Sequence, residues 1–128
     1  MTFTVTSAFK TSAKKLYAAW LSSKKHASMT GGEAITSNVV GDSFSAWGGY
    51  ISGKNVELIP NTKIVQSWRT NEFTDKDKDS QIELTFKELN GETELTLIHS
   101  NVPKDGEKYK QGWEDFYFTP MKTYFSKK

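Results

Sequence analysis

Few side chains in this sequence are equipped for chemistry, and their placement narrows what that chemistry is. His99 ends the run Leu95-Thr96-Leu97-Ile98-His99 in phase with Leu95 and Leu97, so it shares their strand face. A histidine there either orients a bound molecule and carries a proton near neutral pH, or sits buried and hydrogen-bonded near a strand end. No second catalytic group is evident beside it. His26 falls in Lys24-Lys25-His26-Ala27-Ser28, a polar stretch that places it at the surface. Ile64, Gln66 and Trp68 alternate with Val65, Ser67 and Arg69, and the turn at Pro60 decides which set faces inward. If it is the first, the Gln66 carboxamide and the Trp68 indole N–H become hydrogen-bonding groups in an apolar wall. Arg69, the sole arginine, is expected to pair with a surface carboxylate.

Other chemistries lack their residues. The chain has no cysteine, which removes thiol nucleophiles, disulfides, zinc–cysteine sites and iron–sulfur clusters. No serine stands in a Gly-x-Ser-x-Gly elbow, and Gly31-Gly32 and Gly48-Gly49 read as turns, not phosphate-binding loops. Glu114 and Asp115 are adjacent on a helix and point apart. The alternating run Asp75-Lys76-Asp77-Lys78-Asp79 lacks the glycine and terminal glutamate of a calcium loop, so it reads as a solvated loop. No two candidate ligands have the spacing of a metal motif, and no cofactor, metal or catalytic residue is expected.

Length and charge set the frame. The 128 residues suit one domain spanning 1–128, burying roughly two-thirds of its unfolded surface around one core. Seventeen basic against fifteen acidic residues leave +2, with sixteen lysines scattered along the chain, so nucleic-acid binding is not expected. The longest apolar run, Leu16 to Leu21, is far short of the roughly 20 residues of a membrane span. Met1–Val5 does not read as a signal peptide, and a cytoplasmic protein is the expectation.

The elements that must position these residues follow from period. Residues 3–9 alternate as a strand, and Thr11-Ser12 caps a helix running to about Leu21, with a short second helix before Thr30. Strands are expected over Glu33–Val40 and Ser43–Trp47 about a two-residue turn at Gly41-Asp42, and over Tyr50–Ile59 and Lys63–Thr70 about Pro60-Asn61. Asn90-Gly91 is the preferred pair of a type I′ hairpin, which sets Phe86 opposite Leu95, Leu84 opposite Leu97 and Ile82 opposite His99. From about Lys104 to Ser126 one helix face carries Tyr109, Trp113, Phe116, Tyr117, Met121 and Tyr124. A kink is expected at Pro120, and Gly112 is expected to permit a close approach. The fold class is α+β: about seven antiparallel strands curved around a long C-terminal helix, a helix grip that leaves a space unless side chains fill it.

Four segments carry a family resemblance. Phe44-Ser45-Ala46-Trp47-Gly48-Gly49-Tyr50-Ile51-Ser52-Gly53, continuing through Val56-Glu57-Leu58-Ile59-Pro60 to Lys63–Arg69, resembles the activator of heat-shock protein 90 ATPase homologue family. So do Leu95–Pro103 and Gln111-Gly112-Trp113 with Phe118–Phe125. The resemblance covers essentially the whole chain and implies the START-like, Bet v 1-like (SRPBCC) helix-grip fold with its apolar cavity. The family's name implies heat-shock protein 90 as a partner, and in the eukaryotic co-chaperone this domain is the C-terminal of two.

The cavity lining expected from the residues has three groups. Met29, Phe44 and Trp47 form one, and Ile82, Leu84, Phe86 and Leu97 a second, with Gln66, Trp68 and His99 as polar or ring-bearing members. Trp113, Phe116, Tyr117 and Met121 supply the helix wall. The function expected is non-catalytic binding of a small apolar, amphipathic or lipid-like molecule. The alternatives are a co-chaperone stimulating the heat-shock protein 90 ATPase in a stress response, and a small START-like enzyme using His99.

Overall fold

Alternating and helical periods come out as a curved seven-stranded antiparallel sheet gripping a C-terminal helix in the computed structural model, which describes residues 1–126. The first half runs β1 (Phe3–Phe9), α1 (Ala13–Trp20), α2 (Ser23–Thr30), β2 (Ala34–Ile35), β3 (Ser43–Ala46) and β4 (Ile51–Ile59). The second runs β5 (Lys63–Thr70), β6 (Ser80–Leu89), β7 (Glu92–Ser100), α3 (Lys108–Gly112), a π-helical turn (Trp113–Phe118) and α4 (Thr119–Ser126). The sheet order is β1-β7-β6-β5-β4-β3-β2. Ser12 and Ser22 cap α1 and α2 with their hydroxyls, and Gly31 ends α2 at φ 87°.

The sequence-derived hairpin is present in its expected register. Asn90 and Gly91 take φ of 55° and 80°, both positive as a type I′ turn requires. Leu84 pairs with Leu97, Phe86 with Leu95 and Ile82 with His99, and all six are buried. At Pro60-Asn61 the Thr62 N–H donates to the Ile59 carbonyl at 3.0 Å. The turn sets Ile64, Gln66 and Trp68 inward, all buried. Arg69 reaches Asp79 at 2.7 Å and also donates to the carbonyls of Thr74 and Asp77, tying down the exposed charged loop.

Two expectations are corrected. The strand expected over 33–40 shrinks to Ala34–Ile35, so Gly41-Asp42 ends a longer loop and is not a two-residue hairpin. The cause is Asn55, whose amide nitrogen donates to the carbonyls of Ser37 and Val39 at 2.9 and 3.0 Å and draws that segment out of the ladder. The second is the phase of the C-terminal helix. In the π turn the Thr119 N–H bonds to the carbonyl of Glu114, five residues back, so the turn holds one residue more than an α turn. The core stripe therefore passes through Tyr109, Trp113, Tyr117, Phe118 and Met121, while Phe116 is 58% exposed. Tyr124 is likewise outside, and Phe125 packs in its place at 6.3 Å from the Phe9 ring. Pro120 lies in the first turn of α4, where an amide donor is least needed, so the widened turn absorbs its missing N–H.

The phase shift makes a sharp contrast between neighbours. Phe118→Ala is expected to cost about 3–5 kcal/mol and Phe116→Ala less than about 1 kcal/mol. Urea unfolding of the two variants checks this, and equal costs would contradict the π turn.

Candidate functional site

Between the C-terminal helix and the β3–β4 turn lies a cavity of about 530 Å³, open at one rim. This is within the size range of small-molecule sites. Seven of its eleven lining residues are aromatic: Trp47, Tyr50, Trp68, Tyr109, Trp113, Phe116 and Tyr117. Ile51, Gly112, Glu72 and Lys108 complete it. The helix contributes two adjacent lines at i, i+4, i+8 spacing, Lys108–Gly112–Phe116 and Tyr109–Trp113–Tyr117. The pairing of Phe116 with Tyr117 on this wall falls in the π turn, a feature frequent at functional sites.

The opposite wall is held at a cost. Trp47 is at φ 54° and is followed by Gly48 and Gly49 at 66° and 95°, an unfavourable backbone for a bulky residue. Its ring fills a slot left by Gly32, where an added Cβ would come within 2.4 Å of the indole. Its indole N–H is buried without a partner among the described residues, and its ring meets Phe116 edge-on at 5.7 Å.

The rim is polar. Tyr50 donates to Glu72 Oε1 at 2.7 Å, Lys108 Nζ lies 2.9 Å from the same oxygen, and Tyr109 donates to it at 3.4 Å. Thr70 and Tyr109 hydroxyls are bonded at 2.8 Å. The Tyr50 hydrogen bond and then Lys108 hold the Glu72 carboxyl below its usual range, while burial and the Glu72 bond push the Tyr50 phenol up.

Behind the cavity the histidines are structural. His99 is fully buried. The Trp113 indole N–H donates to its Nδ1 at 3.1 Å. Its Nε2 lies 2.8 Å from Ser80 Oγ, whose own proton goes to the Trp68 carbonyl at 2.9 Å, so Nε2 is the protonated nitrogen. A second proton at Nδ1 would face an N–H donor, and burial holds the imidazole down to about 3. With both nitrogens engaged, His99 matches the buried, hydrogen-bonded reading and fixes the tilt of Trp113.

His26 corrects the surface expectation: it is 4% exposed. Its Nδ1–H donates to the Trp20 carbonyl at 2.8 Å and its Nε2 accepts from the Tyr117 hydroxyl at 2.9 Å. Burial lowers its affinity for a proton and raises that of the Tyr117 phenolate, so both stay neutral. The signal was available: His26, Met29 and Thr30 fall at i, i+3, i+4 and are the buried face of α2. Gln66 is also internal. It accepts from the Trp20 indole at 3.2 Å and donates to Asn55 Oδ1 at 2.8 Å, joining α1 to the sheet.

Of the residues expected to line a cavity, Trp47, Trp68, Trp113, Phe116 and Tyr117 meet at this one. Met29, Phe44, Ile82, Leu84, Phe86, Leu97 and Met121 are packed in the core, as are Gln66 and His99. Tyr50, Ile51, Glu72, Lys108, Tyr109 and Gly112 are additions. Gly112 also departs from expectation: a Cβ there would meet its nearest neighbour, Phe116, at 3.9 Å, so no backbone approach requires the glycine. Among the described residues no group of three His, Asp or Glu could hold a metal, and no helix is long and apolar enough to cross a membrane.

With this geometry in view, the chain defines a helix-grip protein with a ring-lined, half-open cavity. Residues 10–126 match the family model "Activator of Hsp90 ATPase homolog 1-like protein", and the chain belongs to that family. It is 31% identical over 123 residues to the human activator of 90 kDa heat shock protein ATPase homolog 1, covering 95% of this chain and 36% of that protein. The Dictyostelium discoideum homologue is 31% identical over 121 residues, covering 92% and 31%. The chain thus spans about a third of the length of these relatives. In fold it is similar to an HSP90 activator from Plasmodium falciparum, with TM-score 0.88, 24% identity and coverage of 98% and 96%. It is likewise similar to the Aha1 dimer from Colwellia psychrerythraea, with TM-score 0.81, 18% identity and the same coverages.

The buried neutral histidines have a consequence for stability. Their folded affinities for protons lie below the unfolded value near 6.5, about 3 for His99 and lowered for His26. Their contribution is therefore complete above about pH 6.5 and is lost as the pH falls toward the folded values. His99 is expected to remove roughly 1 kcal/mol per pH unit below that point, and His26 to act in the same direction. Urea unfolding at about pH 7.5 and about pH 5 checks it, with a shallower dependence expected for His99→Gln.

Proposed function

We propose that the chain is a non-catalytic binding module that holds a small apolar or amphipathic molecule in the ring-lined cavity. The observation that carries this reading is Gly112. It lies at φ −60° at the helical junction before the π turn, where glycine costs roughly 1 kcal/mol relative to alanine. No close contact compels it, so the side chain is missing on the cavity side of a helix that would be more stable with one. A site that keeps space open at the expense of stability is the pattern of a binding site. The strained Trp47 turn and its unpaired indole N–H, on the facing wall, support the same reading.

Filling the space tests it. Gly112→Leu is expected to be at least as stable as the parent, by up to about 1 kcal/mol, and to lose stabilisation by apolar ligands. The parent should gain about 2.7 kcal/mol at ligand concentrations near 100 times the dissociation constant, read as a thermal shift. If a broad panel of aromatic and alkyl compounds stabilises neither protein, or both equally, the cavity is not the site.

A second reading is favoured by the family itself: a partner of the 90 kDa heat-shock chaperone, as its relatives are named. Added to a purified chaperone of that class, the chain is expected to change its ATPase rate saturably. A flat response at stoichiometric excess argues against this role.

A further inference from the structure

Resting on the cavity reading above, we propose that the molecule the site takes is a cation: a small amphiphile with a protonated amine or quaternary ammonium beside a flat apolar body, its charge matched by Glu72. The rim carboxylate is fixed before any ligand arrives. Tyr50, Lys108 and Tyr109 all approach one oxygen, Oε1, at 2.7, 2.9 and 3.4 Å. Oε2 has no hydrogen-bond partner among the described residues and is available to an incoming positive charge. Its bonds keep the group ionised, and the aromatic walls offer the electron-rich ring faces that attract ammonium groups.

The chain's own cation already adopts this mode. Lys108 Nζ sits on Glu72 and lies 5.4 Å from the centre of the Tyr109 ring. Its side chain is 52% exposed, so a ligand cation can share Glu72 with it or take its place while Lys108 turns to solvent. An anionic head group finds less. The lining residues include no arginine, and the single lysine is already paired with Glu72, whose charge repels an anion. A neutral ligand uses the rings but not the carboxylate.

Three probes with one shared body separate the alternatives: a naphthylmethyl-trimethylammonium ion, naphthylmethanol and naphthylacetate, titrated calorimetrically at low salt. The ammonium ion is expected to bind about tenfold more tightly than the alcohol, with the carboxylate weakest. Glu72→Gln, a partly exposed position, should abolish that preference, bringing ammonium binding down to the level of the alcohol. Lys108→Met should strengthen ammonium binding, and weaker binding there overturns the proposal. So does an alcohol or carboxylate that binds as tightly as the ammonium ion, or a preference that survives Glu72→Gln; in those cases the cavity reading stands. If none of the three probes binds, the cavity reading itself fails and the cation assignment falls with it.

Discussion

An interior built from rings must find partners for the polar atoms those rings carry, and the hydrogen bond from the Trp113 indole to His99 is where that demand ties helix to sheet. Trp113 begins the π turn and His99 sits near the end of β7, 3.1 Å away from indole nitrogen to imidazole nitrogen. Burial makes the bond obligatory, because an unpaired indole N–H or imidazole nitrogen in this setting costs about 1–3 kcal/mol. His26 and Tyr117 form a second tie, and Gln66 between Trp20 and Asn55 a third. These bonds cross between elements, so they fix the helix in rotation and depth as apolar contact alone would not.

The cavity follows from that fixation. Rings in the interior meet at centroid distances such as 4.6 Å for Trp68–His99, 4.8 Å for Trp113–Tyr117 and 5.1 Å for Trp20–Tyr117. Each is within the range of favourable edge or offset contact. A helix so anchored cannot slide to close the space beside Gly112. The space survives because three features refuse it: a missing side chain on the helix, a Trp47 held away on a strained turn, and a rim carboxylate too polar to bury.

Legibility in the sequence depended on how local the deciding interaction was. Asn90-Gly91 and the alternation on both sides of it specify one register, so the β6–β7 hairpin could be written down residue by residue. The inward set on β5 was open until the length of the Pro60 turn was known. The 33–40 strand failed because Asn55, some sixteen residues further on, captures its carbonyls. Nothing in the polar run around His26 announces a hydroxyl on Tyr117, 91 residues away, although the spacing with Met29 and Thr30 marks a buried face. The candidate lining divided along the same line. Trp47, Trp68, Trp113, Phe116 and Tyr117 line the cavity, whereas Phe44, Phe86 and His99 fill the core with the aliphatic members, and sequence does not distinguish a ring that lines from one that plugs.

The periodicities, the turn dipeptides and the aromatic content of this chain by themselves determined a helix-grip sheet with rings facing inward, because those signals are read within a few residues of one another. Where the interior stays open was decided only by the tertiary structure. The π turn advances the helix phase by one residue, exposing Phe116 and burying Phe118, and that added residue is absorbed by packing against distant strands. The convergence of Tyr50, Glu72 and Lys108 at one rim has the same origin: three separate segments meet there, and no spacing along the chain encodes their meeting.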